Sequence, residues 1–384
     1  MLRAIDQAGK SCILMQHSRK HISHLRKNAT FYCPTCKEQV QMKAGSRTVP
    51  HFAHLPKSTC TNASGEGSYH EQGKVQLYEW FTRQGYQVQL EAYLPALRQR
   101  PDLLLTIGNR QIAIEYQCCR ISQEIMMDRT KGYKAHGIVP LWIMGGNRFK
   151  QRQPKVLSLT SFEQLFFHQF HNTFPPTLYF YCPQSRQFAI FHTPYQLSAT
   201  QMVGQLTFVP LQQLTFPKLF QLNKPLSPTF LQTFWIHHKQ RFRANPHAVI
   251  KNNGTYSFYQ YLYVRGYHAS LLPTCVHLPL EGVWKNGVTP YMWQAKWLIE
   301  DVIPLKKMGI VKVEDENESF LYPLIQNAPP LLTSYANLLC KLGMLTKVGP
   351  SHYRKEQEII VPQTVHEALR QDEEMIRYVT KHLL

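Results

Sequence analysis

Two β-prone runs on either side of a Gly-Asn dipeptide constrain the fold of this chain more than any other feature. The first run is Leu103–Ile107 and the second is Arg110–Gln117, and both are rich in apolar residues. A two-residue Gly-Asn connection favours a β-hairpin with a primed turn. In that register Asp102 lies directly opposite Glu115. The pattern therefore predicts a hairpin that brings two carboxylates together.

Such a pair of acids is typical of a site that cuts phosphodiester bonds. Gln117 lies two residues beyond Glu115, so both side chains fall on one face of the strand. Mg²⁺ or Mn²⁺ binds carboxylate oxygens and needs only one or two of them beside a substrate phosphate. We expect Asp102 and Glu115 to hold such an ion at a water-exposed strand edge. The alternative is that both acids are ordinary polar strand ends in solvent.

The charge balance favours nucleic acid as a partner. The chain has 384 residues, which is enough for two or three domains, and 43 Lys and Arg against 24 Asp and Glu give a formal net charge of +19. Such an excess attracts polyanions before any specific contact forms. An anionic membrane surface is the competing partner, but no basic amphipathic segment stands out next to an apolar anchor.

The apolar pattern and the cysteines bear on where the protein resides. No run of about 18 apolar residues is present, and the N-terminal residues lack the apolar core of a secretory signal. We therefore expect a cytoplasmic protein without a membrane anchor. Nine cysteines, an odd number scattered along the chain, fit reduced thiols and one metal site better than a disulfide framework.

Residues 31–62 carry a pattern of metal ligands. A Cys-x2-Cys pair is followed by a short predicted hairpin, a His-x2-His pair and a further cysteine, which gives five candidates: Cys33, Cys36, His51, His54 and Cys60. A structural zinc ion needs four ligands, so His51 and Cys60 compete for the last place. So short a segment has little apolar core, and Zn²⁺ would supply the missing folding energy. The alternative is a small loop module with buried thiols.

The next segment predicts a helix over about 68–83, ended by Gly85. Glu66, His70 and Lys74 recur every four residues, and they share one face if the helix begins early enough. An anionic ligand is favoured near the N-terminal end of such a face. The alternative is a solvated row of charges.

The elements around the hairpin predict the fold class. Alternating apolar residues indicate a strand over 86–90, Ser122 caps a helix that runs to about His136, and 138–144 forms another strand. The last strand must return parallel through a right-handed crossover. The order helix, three strands, helix, strand predicts an α/β fold with a restriction-endonuclease-like αβββαβ core. We therefore divide the chain into a basic, zinc-ribbon-like segment (1–62), a nuclease-like domain (63–150) and a mainly helical α+β C-terminal region (151–384).

Beyond residue 150 the patterns are weaker. They predict a helix over Phe162–Phe170 and a hairpin that joins 178–181 to 188–191. Between 233 and 263 basic side chains are interleaved with aromatic ones, which suits single-stranded nucleic acid because bases stack on rings while cations hold phosphates. The alternative is that these aromatic rings form a core and the charges are solvated. Residues 338–354 have the pattern of a helix followed by a small wing.

Several of these motifs occur in the order seen in CoiA-like competence proteins. The chain resembles that family over about residues 25–146, in the cysteine and histidine pairs and in these further motifs: Glu66 with His70 and Lys74, Gln99-Arg100-Pro101-Asp102, Ile114-Glu115-Tyr116-Gln117, Arg129 with Tyr133, and Leu141-Trp142-Ile143. The resemblance implies a bacterial cytosolic protein that promotes recombination of incoming single-stranded DNA during natural transformation. It also implies a PD-(D/E)xK nuclease fold, with Asp102 and Glu115 as the acids of the motif and Glu66 as the helix acid.

One residue departs from the nuclease motif. Gln117 stands where many such nucleases have a lysine, which orients the attacking water and stabilises charge in the transition state. Lys74, on the preceding helix, is a candidate to restore that cation. The candidate contacts to single-stranded or branched DNA are His70, Arg100, Arg129 and Tyr133. Two rival hypotheses are a non-catalytic DNA-binding accessory factor that assists a recombinase, and an RNA-binding factor.

Overall fold

The computed structural model describes residues 1–45, 49–56, 58, 60, 67–221, 226–246, 253–285, 287–315, 322–325 and 330–382. The chain forms two compact units. The first unit comprises Met1–Phe149, Leu178–Ile190 and Thr207–Leu222, and the second comprises Lys150–Thr177, Phe191–Leu206 and Asn223–Leu384. This division differs from the sequence-based boundary at residue 150, because two later segments of the chain return to the first unit.

The N-terminal part of the first unit is a five-stranded sheet with one helix. Its elements are β1 (Arg3–Ile5), β2 (Ser11–Ile13), α1 (Arg19–Asn28), β3 (Phe31–Tyr32), β4 (Gln39–Lys43) and β5 (His51–His54), and the strands lie in the order β2-β1-β3-β4-β5. The hairpin predicted between the cysteine pair and the histidine pair is the antiparallel pair β4 and β5. Ile22 of α1 packs with Phe31, Val40 and Phe52 in a small apolar core.

The next elements follow the predicted order helix, three strands, helix, strand. They are α2 (Ser68–Arg83), β6 (Gln87–Leu90), β7 (Leu103–Ile107), β8 (Arg110–Gln117), α3 (Gln123–Ala135) and β9 (Ile138–Gly145). Strands β6, β7 and β8 pair antiparallel, and β9 lies parallel to β8. The pairing of Ile107 with Arg110 confirms the two-residue turn, where Gly108 adopts a φ of +55°.

The two helices pack on opposite faces of this sheet. Tyr133 of α3 packs with Leu104 and Ala113. On the other face, a Cβ added at Gly73 in α2 would lie 2.1 Å from Cε1 of Tyr116. Only glycine lets α2 approach β8 this closely, so a helix-weakening residue in mid-helix is explained by packing.

The segments after residue 149 contain β10 (Gln151–Gln153), β11 (Val156–Ser158), α4 (Ser161–Gln164), β12 (Thr177–Cys182), β13 (Gln187–Ser198) and β14 (Gln201–Pro210). In the first unit β12 runs parallel to β9. The helix predicted over Phe162–Phe170 is wrong beyond its first turn. Leu165, Phe166 and Phe167 are all buried, so this apolar run has no solvent face, and the chain leaves the helix to pair His168 with Thr177.

The C-terminal part of the second unit is mainly helical, as predicted. It contains α5 (Pro228–Ala244), α6 (Asn253–Val264), α7 (Pro290–Trp297), β15 (Ile310–Lys312), α8 (Leu331–Lys341), β16 (Leu345–Lys347), β17 (His352–Lys355) and α9 (Val365–His382). Helix α8 leads into the antiparallel hairpin of β16 and β17, which is the predicted helix and wing. Across the described ranges, no helix is both long and apolar enough to cross a membrane.

Within α5, the mixed basic and aromatic segment contributes both kinds of side chain to the interior. Trp235 and Phe242 belong to the core of the second unit, and Lys239 and Arg243 are buried beside Asp372. The prediction that these side chains form a stacking surface for nucleic acid is therefore wrong for α5. Their rings are already packed against other core side chains.

Candidate functional sites

Asp102 and Glu115 lie at the same end of the β7–β8 hairpin. The register pairs Leu103 with Ile114, so the next pair outward is Asp102 and Glu115, as the turn chemistry predicts. The Asp102 carboxylate accepts a hydrogen bond from the backbone N–H of Tyr116 at 2.9 Å. This bond ties the residue before β7 to β8 and holds the two acids at one site.

Helix α2 places two side chains against Asp102. His70 Nε2 lies 3.3 Å from Oδ2 of Asp102, and Lys74 Nζ lies 3.7 Å from Oδ1. The two residues are one helical turn apart, which confirms the predicted common face for this pair. Glu66, the third member of the predicted row, lies outside the described residues.

Lys74 is enclosed by acids that the sequence reasoning missed. Its Nζ lies 2.6 Å from Oε1 of Glu91 and 4.0 Å from Oε1 of Glu71, and all three side chains are almost fully buried. The other oxygen of Glu91 accepts the backbone N–H groups of Leu2 and Arg3. A lone acid in the apolar run Leu90-Glu91-Ala92 was the available signal, because a buried charge needs partners.

Helix α3 covers Glu115. Its Oε1 accepts hydrogen bonds from the hydroxyl of Tyr133 and from the guanidinium of Arg129, and the residue is 2 % exposed. The expectation that the acids sit at a water-exposed edge is therefore wrong for Glu115. The α3 face of the sheet is apolar, and α3 has to pack on it to bury Leu104 and Ala113.

Burial controls the ionisation of Glu115. Desolvation raises its pKa to about 7, the Arg129 guanidinium opposes this rise, and the nearby Asp102 carboxylate adds to it. The Coulomb attraction of one cation does not offset the loss of water around the carboxylate. At neutral pH this carboxyl is therefore poised between its two protonation states.

The candidate DNA contacts are mostly engaged within the protein. Tyr133 is fully buried with its hydroxyl on Glu115, which leaves it no way to reach a phosphate and corrects its predicted role. Arg129 also donates to the carbonyl of Arg100 at 3.0 Å, and Arg100 lies 3.8 Å from Glu91. Gln117, the candidate catalytic residue in the lysine position of the motif, also has a partner within the protein, because its Nε2 donates to the carbonyl of Cys119 at 2.6 Å.

We expect the wild-type chain to lose stability as the pH rises from about 4.5 to 7. The stability of the Glu115→Gln variant should not fall in this way. The carboxyl titrates at its ordinary value of 4.5 when exposed and at about 7 when buried, so ionisation across this window favours the unfolded chain. That difference corresponds to roughly 3 kcal/mol. Urea unfolding of both chains at pH 5 and pH 8, without added Mg²⁺ or Mn²⁺, measures it. The same stability difference at both pH values would show that Glu115 ionises normally in the fold.

The cysteine and histidine motifs converge on one cluster. The ligand atoms of Cys33, Cys36, His54 and Cys60 all lie within 4.8 Å of one another, a set that could hold a metal ion. Four ligands at about 2.3 Å from a tetrahedral Zn²⁺ are roughly 4 Å apart, so the spacing suits such an ion. Cys36 Sγ already lies 3.4 Å from His54 Nε2.

The structure brings one of the two competing fourth ligands into the cluster. Cys60 belongs to the cluster, whereas the Nδ1 atom of His51 contacts the carbonyl of Val49 at 2.9 Å. His51 and His54 are three residues apart on the extended strand β5, so their side chains fall on opposite faces. His51 is therefore the candidate that the fold turns away from the cluster.

Comparisons with known proteins place the chain in a family. Three family models match in sequence: the N-terminal domain of competence protein CoiA at residues 14–63, its nuclease-like domain at 66–224 and its C-terminal domain at 230–369. The competence protein CoiA of Bacillus subtilis (strain 168) is 33% identical over 278 residues, which covers 70% of this chain and 71% of that protein. This chain belongs to the CoiA family. No solved structure matches it.

The matched CoiA domains contain both candidate sites. The N-terminal match contains all four residues of the metal-ligand cluster, and the nuclease-like match contains Asp102 and Glu115. That second match continues past residue 150 to 224, which includes the returning segments of the first compact unit. The family relation also extends beyond the predicted 25–146, into the helical C-terminal region.

Proposed function

We propose that this CoiA-family chain is a DNA-processing protein of natural competence that cuts single-stranded or branched DNA with a divalent metal ion. In this role it promotes recombination of the incoming strand. The observation that carries the proposal is the opposed pair Asp102 and Glu115 at one end of the hairpin, inside the residues that match a nuclease-like domain. A surface that only binds DNA gains nothing from two opposed acids, because carboxylates repel phosphates.

The acids suit a Mg²⁺ or Mn²⁺ ion. Two carboxylates from adjacent strands are enough protein ligands for such an ion, and both hydrogen bonds to Glu115 use the single oxygen Oε1. The raised pKa of Glu115 shows that the present partners do not fully stabilise its charge. When bound, the ion supplies Lewis acidity and neutralises charge on the phosphate.

The remaining side chains set the electrostatics of the site. The ammonium of Lys74 lies beside Asp102, where it can take the place of the lysine that Gln117 replaces. Asp102 orients the imidazole of His70, which stacks on Tyr116 with ring centroids 5.5 Å apart. Arg129 holds Glu115 in position through Oε1, and Glu91 holds Lys74.

The cluster of Cys33, Cys36, His54 and Cys60 binds one structural zinc ion in this proposal. Three thiols and one imidazole are a usual donor set for structural Zn²⁺. The ion fixes the N-terminal module, whose apolar core is small.

A second function is favoured by the pairing of Gln117 and Lys74 with other groups of the protein. The amide of Gln117 is hydrogen-bonded to the carbonyl of Cys119, and Lys74 is enclosed by Glu71 and Glu91. A site whose cation is already paired within the protein suits a DNA-binding accessory factor that assists a recombinase without cutting. The family relation is compatible with both functions.

Cleavage assays test the proposal. We expect wild-type protein to cut single-stranded or branched DNA with Mg²⁺ or Mn²⁺, and Asp102→Asn and Glu115→Gln to lose at least about 100-fold in rate, because each removes a ligand of the ion. The matched control is Asp128→Asn, which neutralises an exposed acid on α3. Equal cutting by all four proteins would indicate another active site. DNA binding without any cutting by wild-type protein would favour the accessory factor.

A further inference from the structure

The N-terminal module contains a segment with an extreme charge pattern. From Gln7 to Lys37 there is no Asp or Glu, whereas six Lys or Arg and three His are present. The segment includes the whole of α1, and no acid occurs in the first turn of that helix. Neither candidate site described above uses any of these basic residues.

Helix α1 carries three of its basic residues on one face. Lys20, His24 and Lys27 follow helical spacing of four and three residues, and all three are exposed. Ile22 lies on the opposite side and is buried in the module core. We define the α1 basic face as Lys20, His24 and Lys27 together with the exposed His21.

The electrostatics of this helix favour an anionic partner. The N-terminal end of a helix carries partial positive charge, and Lys20 adds a cation to the first turn. A phosphate near this turn would be attracted by both the lysine and the helix end. The charge of this face therefore attracts an anion.

Histidines within α1 and just before it add flat rings to the charge. The ring centroids of His17 and His21 are 4.7 Å apart, and those of His21 and His24 are 6.4 Å apart. A row of rings beside lysines is the combination that binds single-stranded nucleic acid, with bases on the rings and phosphates on the cations. An anionic membrane fits less well, because Ile22 is buried and Leu25 packs against the same core, so the apolar side chains of α1 face the module interior.

One hydrogen bond within the first unit links the residues just before α1 to α2, the helix that contacts Asp102. Gln16, just before α1, donates from Nε2 to the hydroxyl of Tyr78 on α2 at 3.4 Å. Tyr78 is eight residues from His70 on the same helix, which corresponds to roughly 12 Å along its axis. A strand bound on α1 would thus lie within a few nucleotides of Asp102.

We propose that the α1 basic face binds a single DNA strand and presents it to the site of Asp102 and Glu115. The binding half of this inference stands on the helix itself, and the presenting half rests on the proposed nuclease function. The partner is recognised through its phosphates and base planes, so no base sequence is preferred.

Charge reversal on α1 tests the binding. We expect Lys20→Glu/Lys27→Glu to weaken binding of a 30-nucleotide oligo-dT about 30-fold at 100 mM salt and to lower the salt dependence of the affinity, since two phosphate contacts are lost. Glutamate is favoured in the first turn and disfavoured in the last, so the two changes offset each other in helix stability. Fluorescence anisotropy without added Mg²⁺ or Mn²⁺ gives the affinities, and zinc content and circular dichroism confirm the fold.

The matched control changes the net charge equally at two exposed positions of another helix. Arg370→Glu/Lys381→Glu on α9 also removes two positive and adds two negative charges. We expect the affinity of this control for oligo-dT to fall no more than about threefold, from the general effect of net charge. Equal losses in both double variants, or no loss in the α1 variant, would overturn the proposal. So would binding of wild-type protein to phosphatidylserine vesicles with none to oligo-dT.

Two further measurements separate this inference from the nuclease function. The His21→Ala/His24→Ala chain should lose affinity for oligo-dT more than for a duplex of equal length, because stacking needs exposed bases; equal losses would contradict the role of the rings. If the wild-type chain cuts no DNA but its binding to oligo-dT still depends on Lys20 and Lys27, the nuclease proposal is refuted and the α1 binding proposal is supported. Cleavage that is unaffected in the α1 variant would refute delivery of the strand by α1.

Discussion

Replacing Asp372 by alanine is expected to destabilise the second unit by about 3–5 kcal/mol, because two buried cations then lose their shared anion. Asp372 Oδ1 lies 2.8 Å from Lys239 Nζ, and Oδ2 lies 2.8 Å from Arg243 Nε. All three side chains are at most 3% exposed. Urea unfolding, together with hydrogen exchange of α5 and α9, measures the loss.

The two cations that bind Asp372 also donate hydrogen bonds to backbone carbonyls. Lys239 also donates to the carbonyls of Thr274 and Val276, and Arg243 donates to those of Ser270 and Leu272. The two cations therefore cross-link α5, α9 and the 270–276 segment around one carboxylate. Burial lowers the pKa of Lys239 while Asp372 raises it, so removal of Asp372 favours loss of the lysine proton.

The neighbouring acid on α9 is the matched control. Glu373 pairs with Arg377 at the surface, where the two side chains are 43% and 60% exposed. Solvent screens such a pair, so we expect Glu373→Ala to cost less than about 1 kcal/mol. Similar losses for the two alanine variants would show that the Asp372 network contributes no more than a surface pair.

Local patterns in the sequence predict the nuclease-like half of the fold well. The hairpin at residues 103–117 depends on a Gly-Asn turn and on two apolar, β-prone runs, and both signals lie within a few positions of each other. The same holds for α2 and α3, whose ends are set by glycine and by the Ser122 cap. The predicted opposition of Asp102 and Glu115 followed from the turn alone.

Contacts between distant residues explain what the sequence could not predict. Asp372 lies 129 positions from Arg243, so nothing near the basic and aromatic segment indicates that its cations are paired inside. Glu91 is bound by Leu2 and Arg3, 89 and 88 positions away, which hides its role beside Lys74. The burial of Glu115 likewise depends on how α3 packs, and the hairpin alone suggested an exposed edge.

The fourth metal ligand is an intermediate case. Spacing left His51 and Cys60 as rivals, because both lie within reach of a Cys-x2-Cys pair. Side chains alternate between the two faces of β5, so His51 and His54, three positions apart, lie on opposite faces. The sequence alone does not show that both residues lie on one strand.

Replacing Cys60 by serine is expected to reduce bound zinc from about one ion per chain to a small fraction of that, and to unfold the N-terminal module. A structural zinc ion contributes about 10 kcal/mol or more to the folding of a small module, and a hydroxyl is a much poorer ligand than a thiolate. Metal analysis of the purified chains and limited proteolysis of residues 1–60 measure both effects.

His51→Ala is the matched control for this prediction. It removes the rival ligand in the same module, but His51 touches the Val49 carbonyl and lies outside the cluster. We therefore expect full zinc content and an intact module in this variant. If His51→Ala loses zinc while Cys60→Ser keeps it, the ligand set drawn from the cluster is wrong. Full protease resistance of a zinc-free wild-type chain would instead show that the core around Ile22 and Phe52 folds without metal.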